Sequence, residues 1–276
     1  MKKTFLENAA YGFIMMVCLL WTVPLIWVVF SSFKDNTEIL ARGYQFIPKN
    51  GFTLSSFKAV LTNDQAPVLT WVVNSLIVSG LHVLCVLFIG SLAAFGYGRL
   101  KFKGKDTLLA ILLGSMMIPG IANLIPAFKI IDSLGWIDNK LALIVPGVGS
   151  VFSVLIMYNF IKGIPMDLDE AARIDGASDF YIYSRIILPL MKPVLSVVGL
   201  LCFLGSWNDF FWPTIVMQSK DSMTITAGLR IIQGTYGLEP GNLMAAALIS
   251  ALPVVVIFLF AQKSLMEGMA LQSGIK

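Results

Sequence analysis

Charged residues are scarce in this sequence. Asp, Glu, Lys and Arg together make up 13% of the 276 residues, against roughly 25% in an ordinary soluble domain. So few charges could not cover a soluble protein of this size. The hydrophobic share of 57% and the mean hydropathy of +0.81 make lipid the natural solvent. Histidine is nearly missing: His82 stands alone, which argues against a multi-histidine metal site and against a Ser-His triad. The three cysteines, Cys18, Cys85 and Cys202, lie apart in apolar segments, so neither a disulfide framework nor a metal site is in view. No phosphate loop is present, because Gly104-Lys105-Asp106 lacks both the earlier glycine and the following Ser or Thr. No catalytic cluster or cofactor motif stands out. No basic tract alternates with aromatics, and nucleic-acid binding has no support at a net charge of +4.

What the sequence does have is long charge-poor runs, and about 20 apolar residues cross a hydrocarbon core. Such runs place spans at about 11–30, 72–97, 107–128, 141–161, 193–217 and 241–262, the fifth interrupted only by Asp209. The expected fold class is therefore an all-α integral membrane protein, a single domain over 1–276 with six transmembrane helices. Six spans put both termini on one side. Lys2 and Lys3 precede the first span, and Arg99, Lys101, Lys103 and Lys105 crowd the short link after the second. Lys34, Arg42, Lys49 and Lys58 are spread thinly over the first long loop. Basic residues concentrate on the cytoplasmic side, so both termini are expected there. The first span is read as an uncleaved helix, since Ser31-Ser32-Phe33-Lys34 offers no small-x-small cleavage pattern. Prolines 24, 119, 126, 146, 213 and 253 fall in or beside spans and predict kinks. Gly90, Ala94 and Gly98 form a small-residue stripe suited to close helix packing.

The link 162–192 is too polar to span and too well patterned for a loose loop. Asp167 with Glu170 three residues on reads as a capping box with Asp in the place of Ser or Thr. Leu168, Ala171 and Ala172 share one face of the helix that follows, and Gly176 supplies its stop. The helix is about two turns, roughly 12 Å. A second helix starts at Ser178 and is expected to end at Pro189. The pattern alone allows two readings: a helix lying in the membrane interface, or a projecting knob on which another protein docks.

Glu170-Ala171-Ala172, three residues, Gly176, nine residues, then Ile186-x-Leu188-Pro189 resembles the EAA signature of ABC-importer permeases at every fixed position. Ala172-Arg173-Ile174-Asp175-Gly176-Ala177-Ser178 is similar to the carbohydrate branch of that family. So is Trp207-Asn208-Asp209-Phe210 with Pro213, and Gln262-Lys263 through Gly268 resembles its tail, as in the second permease of maltose-type systems. The tail then departs at Met269-Ala270-Leu271-Gln272-Ser273-Gly274-Ile275-Lys276, where members carry a small-residue run.

The resemblance implies a type I importer permease in the cell (inner) membrane, with the link as a coupling loop. Glu170, Ala171, Ala172, Asp175 and Gly176 would engage a separate ATPase. It further implies a second related permease, two ATP-binding subunits and an extracellular or periplasmic sugar-binding protein as partners. The chain itself would be non-catalytic and would need no cofactor. A stand-alone secondary carrier is the alternative, but no convincing repeat is visible.

Asp209 is the one carboxylate well inside an expected span, so it should face a polar cavity or a partner. With Trp207, Asn208 and Trp212 around it, it is a candidate substrate or gate position. A helix-cap role combined with an aromatic belt explains the same residues. Asn74, His82, Asn123 and Asn159 are expected to serve as interhelical hydrogen-bonding groups.

Overall fold

The computed structural model describes residues 2–41, 46–235 and 239–273. Among these every regular element is helical. The principal helices are α1 (Lys2–Ser32), α2 (Val68–Arg99), α3 (Lys105–Ser115), α4 (Leu124–Ser133), α5 (Val151–Lys162) and α6 (Asp167–Ile174). They continue with α7 (Asp179–Leu190), α8 (Lys192–Trp207), α9 (Phe211–Val216), α10 (Ile225–Thr235) and α11 (Pro240–Ser273). Of the tail departure at 269–276, only the backbone of 269–273 is described, and it continues α11.

Three stretches are long and apolar enough to cross a membrane as single helices: Glu7–Ser32, Val68–Arg99 and Pro240–Gln262. Pro24 and Pro253 sit inside α1 and α11 without ending them. The other expected spans are interrupted helices. The run 107–128 stops at Ser115, turns through Pro119 and a 3-10 turn at Gly120–Asn123, and resumes as α4 at 94°. Proline disfavours a helical predecessor and cannot donate to the preceding turn, so Ile118-Pro119-Gly120 gives the break. In 141–161 a single turn, Leu141–Ile144, is separated from α5 by Pro146 and two glycines. The run 193–217 breaks between Trp207 and Phe211.

The chain divides into two units, Met1–Thr70 with Gly228–Pro253, and Trp71–Ala227 with Val254–Lys276. In the first, Asp35 caps the short helix Asn36–Leu40 through the Thr37 amide and hydroxyl, at 2.9 and 2.6 Å. The Asn36 side chain accepts from the Gly241 amide at 2.8 Å. A Cβ at position 241 would come within 2.8 Å of Ser56 Oγ, so only glycine allows this approach.

In the second unit α5 lies against the small-residue stripe of α2. A Cβ at Gly90 would meet Met157 Cε at 2.6 Å, and one at Gly98 would meet Ile161 Cγ2 at 2.7 Å. Ala94, Phe95, Met157, Ile161, Ile182, Tyr183 and Ile187 close the core that this approach begins. It holds α2, α5 and α7 together and thereby positions the polar link.

Candidate functional site

The link between α5 and α8 folds as a two-helix knob. Its first helix, α6, turns 75° away from α5 after the Gly163-Ile164-Pro165 elbow. The expected capping box does not form: Met166 occupies the cap position with no side-chain bond, and Asp167 is the first helical residue. The acids Asp167, Asp169 and Glu170 instead fill the first turn, where the helix dipole favours negative charge.

The stop at Gly176 has the geometry its residue type implies, with φ at +82°. The Ala177 amide reaches back to the Ala172 carbonyl at 2.9 Å and the Gly176 amide to the Arg173 carbonyl at 3.0 Å. These two bonds make a Schellman motif. Ser178 then caps α7, accepting from the Tyr181 amide. An ion pair from Arg173 to Asp179 bridges the two helices across the glycine. Pro189 does not end α7, which runs on to Leu190 before a 75° bend into α8. A π-helical stretch over Ile182–Ile187 precedes the proline, and its wider turn makes room for the ring and the missing donor.

The knob has two distinct faces. Glu170, Ala171, Asp175 and Gly176 are exposed, as are Leu168, Ile174 (87%) and Phe180 (72%). Ala172 does not share that face. It is partly buried and, with Ala177, packs on the core of α2, α5 and α7. The small side chain at 172 thus serves the chain's own packing, and a bulky replacement there would lift α6 off the core.

Two buried polar ties, neither evident in the sequence, fix the knob to α2. Arg99, in the last turn of α2, sits with its Nε 3.3 Å from Asp169 Oδ2, and both side chains are almost fully buried. Its Nη2 donates to the Ile164 carbonyl at 2.8 Å and its Nη1 to Met166 Sδ at 2.6 Å. In the second helix the Tyr183 hydroxyl bonds Ser91 Oγ at 2.8 Å. The one available signal was the register of α6, which puts Asp169 three residues before the inward Ala172.

At the other end of α8 the sequence candidates separate. Trp207 is buried and stacks on Phe203 with centroids 5.5 Å apart. Asn208 is exposed at the end of α8. Asp209, one residue before the Phe210 cap position, covers the start of α9, its Oδ1 accepting from the amides of Phe211 and Trp212 at 3.1 and 3.3 Å. It also lines a cavity of about 210 Å³ with His82, Ser206, Trp212 and Thr224. A second cavity, about 390 Å³, shares His82, Gly147, Gly205 and Ser206 and adds Ser150, Ser153 and Cys202. His82 packs on Gly147, where a Cβ would come within 2.5 Å of its ring, and its Nδ1 lies 3.0 Å from the Ile144 carbonyl. The two cavities share His82, Gly147, Gly205 and Ser206 and together form a groove whose largely apolar wall carries a few hydroxyls, an imidazole and a carboxylate.

The loop after α9 is pinned from three sides. Asn74 donates to the carbonyls of Asp221 and Met223, at 2.8 and 2.9 Å. Thr226 donates to the carbonyls of Trp207 and Asp209. Asp138, at φ +59°, accepts from the amides of Gln218 and Ser219 and from the Ser222 hydroxyl, at 2.6, 2.9 and 2.6 Å. Desolvation pushes the Asp138 carboxyl up, but the bonds from Ser222, Ser219 and Gln218 outweigh it and hold the group below its ordinary value. Asn123 and Asn159 are exposed.

Comparison with known proteins places this geometry. The permease protein AraQ of an arabinooligosaccharide transport system in Bacillus subtilis is 32% identical over 265 residues, which cover 96% of this chain and 94% of AraQ. The trehalose/maltose transport permease MalG of Thermococcus litoralis is 34% identical over 249 residues, 89% of this chain and 88% of MalG. The fold matches a chain of a bacterial ABC transporter that imports the acidic polysaccharide alginate, with a TM-score of 0.80 at 23% identity over 94% of this chain and 95% of that one. The signature of the binding-protein-dependent transport system inner membrane components matches residues 1–269. With its helical fold and EAA knob, the chain belongs to that family of inner membrane transport components.

Proposed function

We propose that this chain is one permease subunit of an ATP-driven importer for carbohydrate, and that its knob couples it to a separate ATP-hydrolysing subunit. The knob is the observation that carries the reading. Its outward face presents Leu168, Ile174 and Phe180 beside Glu170, Ala171 and Asp175, while its inward face is held by buried ties. Exposed apolar side chains on a rigid, charged projection suit a protein cleft better than water. Glu170 offers a carboxylate to a basic group in that cleft, and Ala171 permits close approach.

The remaining partners follow from the same reading: a second related permease, two ATP-binding subunits and an extracellular or periplasmic binding protein. Glu7–Ser32 is a 26-residue apolar helix, which suits contact with lipid and a second permease. Six spans, with the bent stretches counted as one crossing each, would leave both termini and the knob on one side, which we read as cytoplasmic. The basic cluster Arg99, Lys101, Lys103 and Lys105 supports that side. Carbohydrate as cargo is supported by the two named relatives and by the groove at His82, Ser206 and Asp209, which offers hydrogen-bond partners to hydroxyls. Tagged chain, expressed with the products of its neighbouring genes, should retain an ATP-binding subunit through purification. Purification without one would remove the reading.

A further inference from the structure

The knob meets α2 through buried polar contacts as well as apolar packing. One guanidinium, that of Arg99, serves three groups at once: the Ile164 carbonyl in the elbow, Met166 Sδ at the cap of α6, and the Asp169 carboxylate in its first turn. These groups lie in the elbow and at the start of α6, so Arg99 ties the end of α2 to the segment just after the 75° bend. Eight residues earlier, about 12 Å along the helix, Ser91 holds Tyr183 of α7. Each short helix of the knob therefore has its own buried polar tie to the same helix. Farther along, Val78 and His82 of α2 line the cavity that Asp209 shares, and Gly80, Val83, Leu84 and Leu87 line a larger one of about 1020 Å³.

Stability is a poor explanation for the Arg99–Asp169 pair. Desolvating two charges offsets most of their attraction, and well-packed apolar residues often do as well. Here, moreover, Asp169 Oδ1 and Arg99 Nε are both buried with no hydrogen-bond partner, so the two side chains meet as an ion pair and not through a hydrogen bond. What an ion pair supplies and apolar packing does not is a fixed direction and register.

We infer that Arg99 and Asp169 are positioning residues forming a rigid joint, through which displacement of the knob is delivered to α2 and so to the walls of the polar groove. The joint rests on the coupling role proposed above. Without it, α6 could still dock and an ATPase could still turn over, but the movement would be absorbed in the Gly163–Pro165 elbow.

The experiment uses the whole complex, reconstituted in liposomes, with assembly, basal ATP hydrolysis and transport per ATP measured on each variant. Asp169→Asn keeps the shape and removes the charge. Arg99→Met with Asp169→Leu removes both charges, so that neither is left buried alone. Assembly and basal hydrolysis should stay near the parent in the double variant, and transport per ATP should fall about tenfold in both, within the usual range of coupling between sites. Asp169→Glu, which restores the charge, should recover most of the ratio. An unchanged ratio in the first two variants overturns the joint. So does a parallel loss of assembly, hydrolysis and transport in the double variant, which would make the pair merely structural. A parent chain that retains no ATPase overturns the coupling reading, and the joint with it.

Discussion

Replacing Gly176 tests the knob through its backbone alone. Its φ of +82° lies where L-residues with a Cβ are strained, and nothing comes within 4 Å of a Cβ built there. Any loss on substitution within the chain is therefore conformational. Alanine in the left-handed region costs about 1 kcal/mol, a β-branched residue about 2 kcal/mol or more, and asparagine a few tenths. At about 1.4 kcal/mol per decade, the ratio of correctly turned to misturned knob should fall about fivefold in Gly176→Ala and about 30-fold in Gly176→Val. Gly176→Asn should lower it no more than twofold or so. The Schellman bonds of Ala177 and Gly176 report the same loss as faster amide exchange. The assay is ATP hydrolysis stimulated by ligand-loaded binding protein, with the permease variants in lipid nanodiscs. Backbone strain ranks the activities Gly, Asn, Ala, Val. Simple crowding in the partner's cleft ranks Ala above the larger Asn, and that order would refute the reasoning.

Cysteine at Lys103, which is exposed, should react with an impermeant thiol reagent only after the membrane is opened, whereas cysteine at exposed Lys49 should react in intact cells with a permeable outer barrier. The reverse pattern inverts the proposed orientation. Asp209→Asn keeps an acceptor for the Phe211 and Trp212 amides and should leave thermal stability unchanged, while Asp209→Ala should lose about 1 kcal/mol in a denaturation series. Uptake by Asp209→Asn below the parent would add a ligand or gate role to the cap. Because the Asp138 carboxyl is held below 3.8, its contribution is fully present above that pH and is lost as pH falls through the lower folded value. Amide exchange at Gln218 and Ser219 should therefore stay slow down to about pH 4 and accelerate only below it. Acceleration already at pH 5 to 6 would contradict the assignment.

The sequence was most legible where a single residue type determines the backbone. Gly176 with its positive φ and Ser178 as a cap are local matters, and both stand where the residues imply. The helix start differs from the expected capping box for a local reason too: with Met166 at the cap, Asp167 lies inside the helix and its carboxylate meets the dipole instead of an amide. The breaks at 116–119, 145–150 and 208–210 are hidden in hydropathy, because an apolar run reads the same whether its helix is straight or bent. Pro119 and Pro146 marked two of them, yet Pro24 and Pro253 stand in unbroken helices, so proline alone does not decide. The ties from α2 to the knob could not be seen, since Arg99 and Asp169 are 70 positions apart and each looks like an ordinary surface charge in a linear reading. Asp209 was legible as a position of interest. Its partners were not, because His82, Ser206 and Thr224 reach the same cavity only through folding.

The central claim is that this chain passes carbohydrate across the membrane at the expense of ATP hydrolysed by another subunit. The most direct measurement is ATP hydrolysis by the purified complex in liposomes, with and without ligand-loaded binding protein, while labelled oligosaccharide accumulation is followed in the same vesicles. Hydrolysis and accumulation should rise together when the loaded binding protein is added, and both should vanish when the ATP-binding subunit is omitted. Accumulation that persists without that subunit, driven by an ion gradient alone, would contradict the claim.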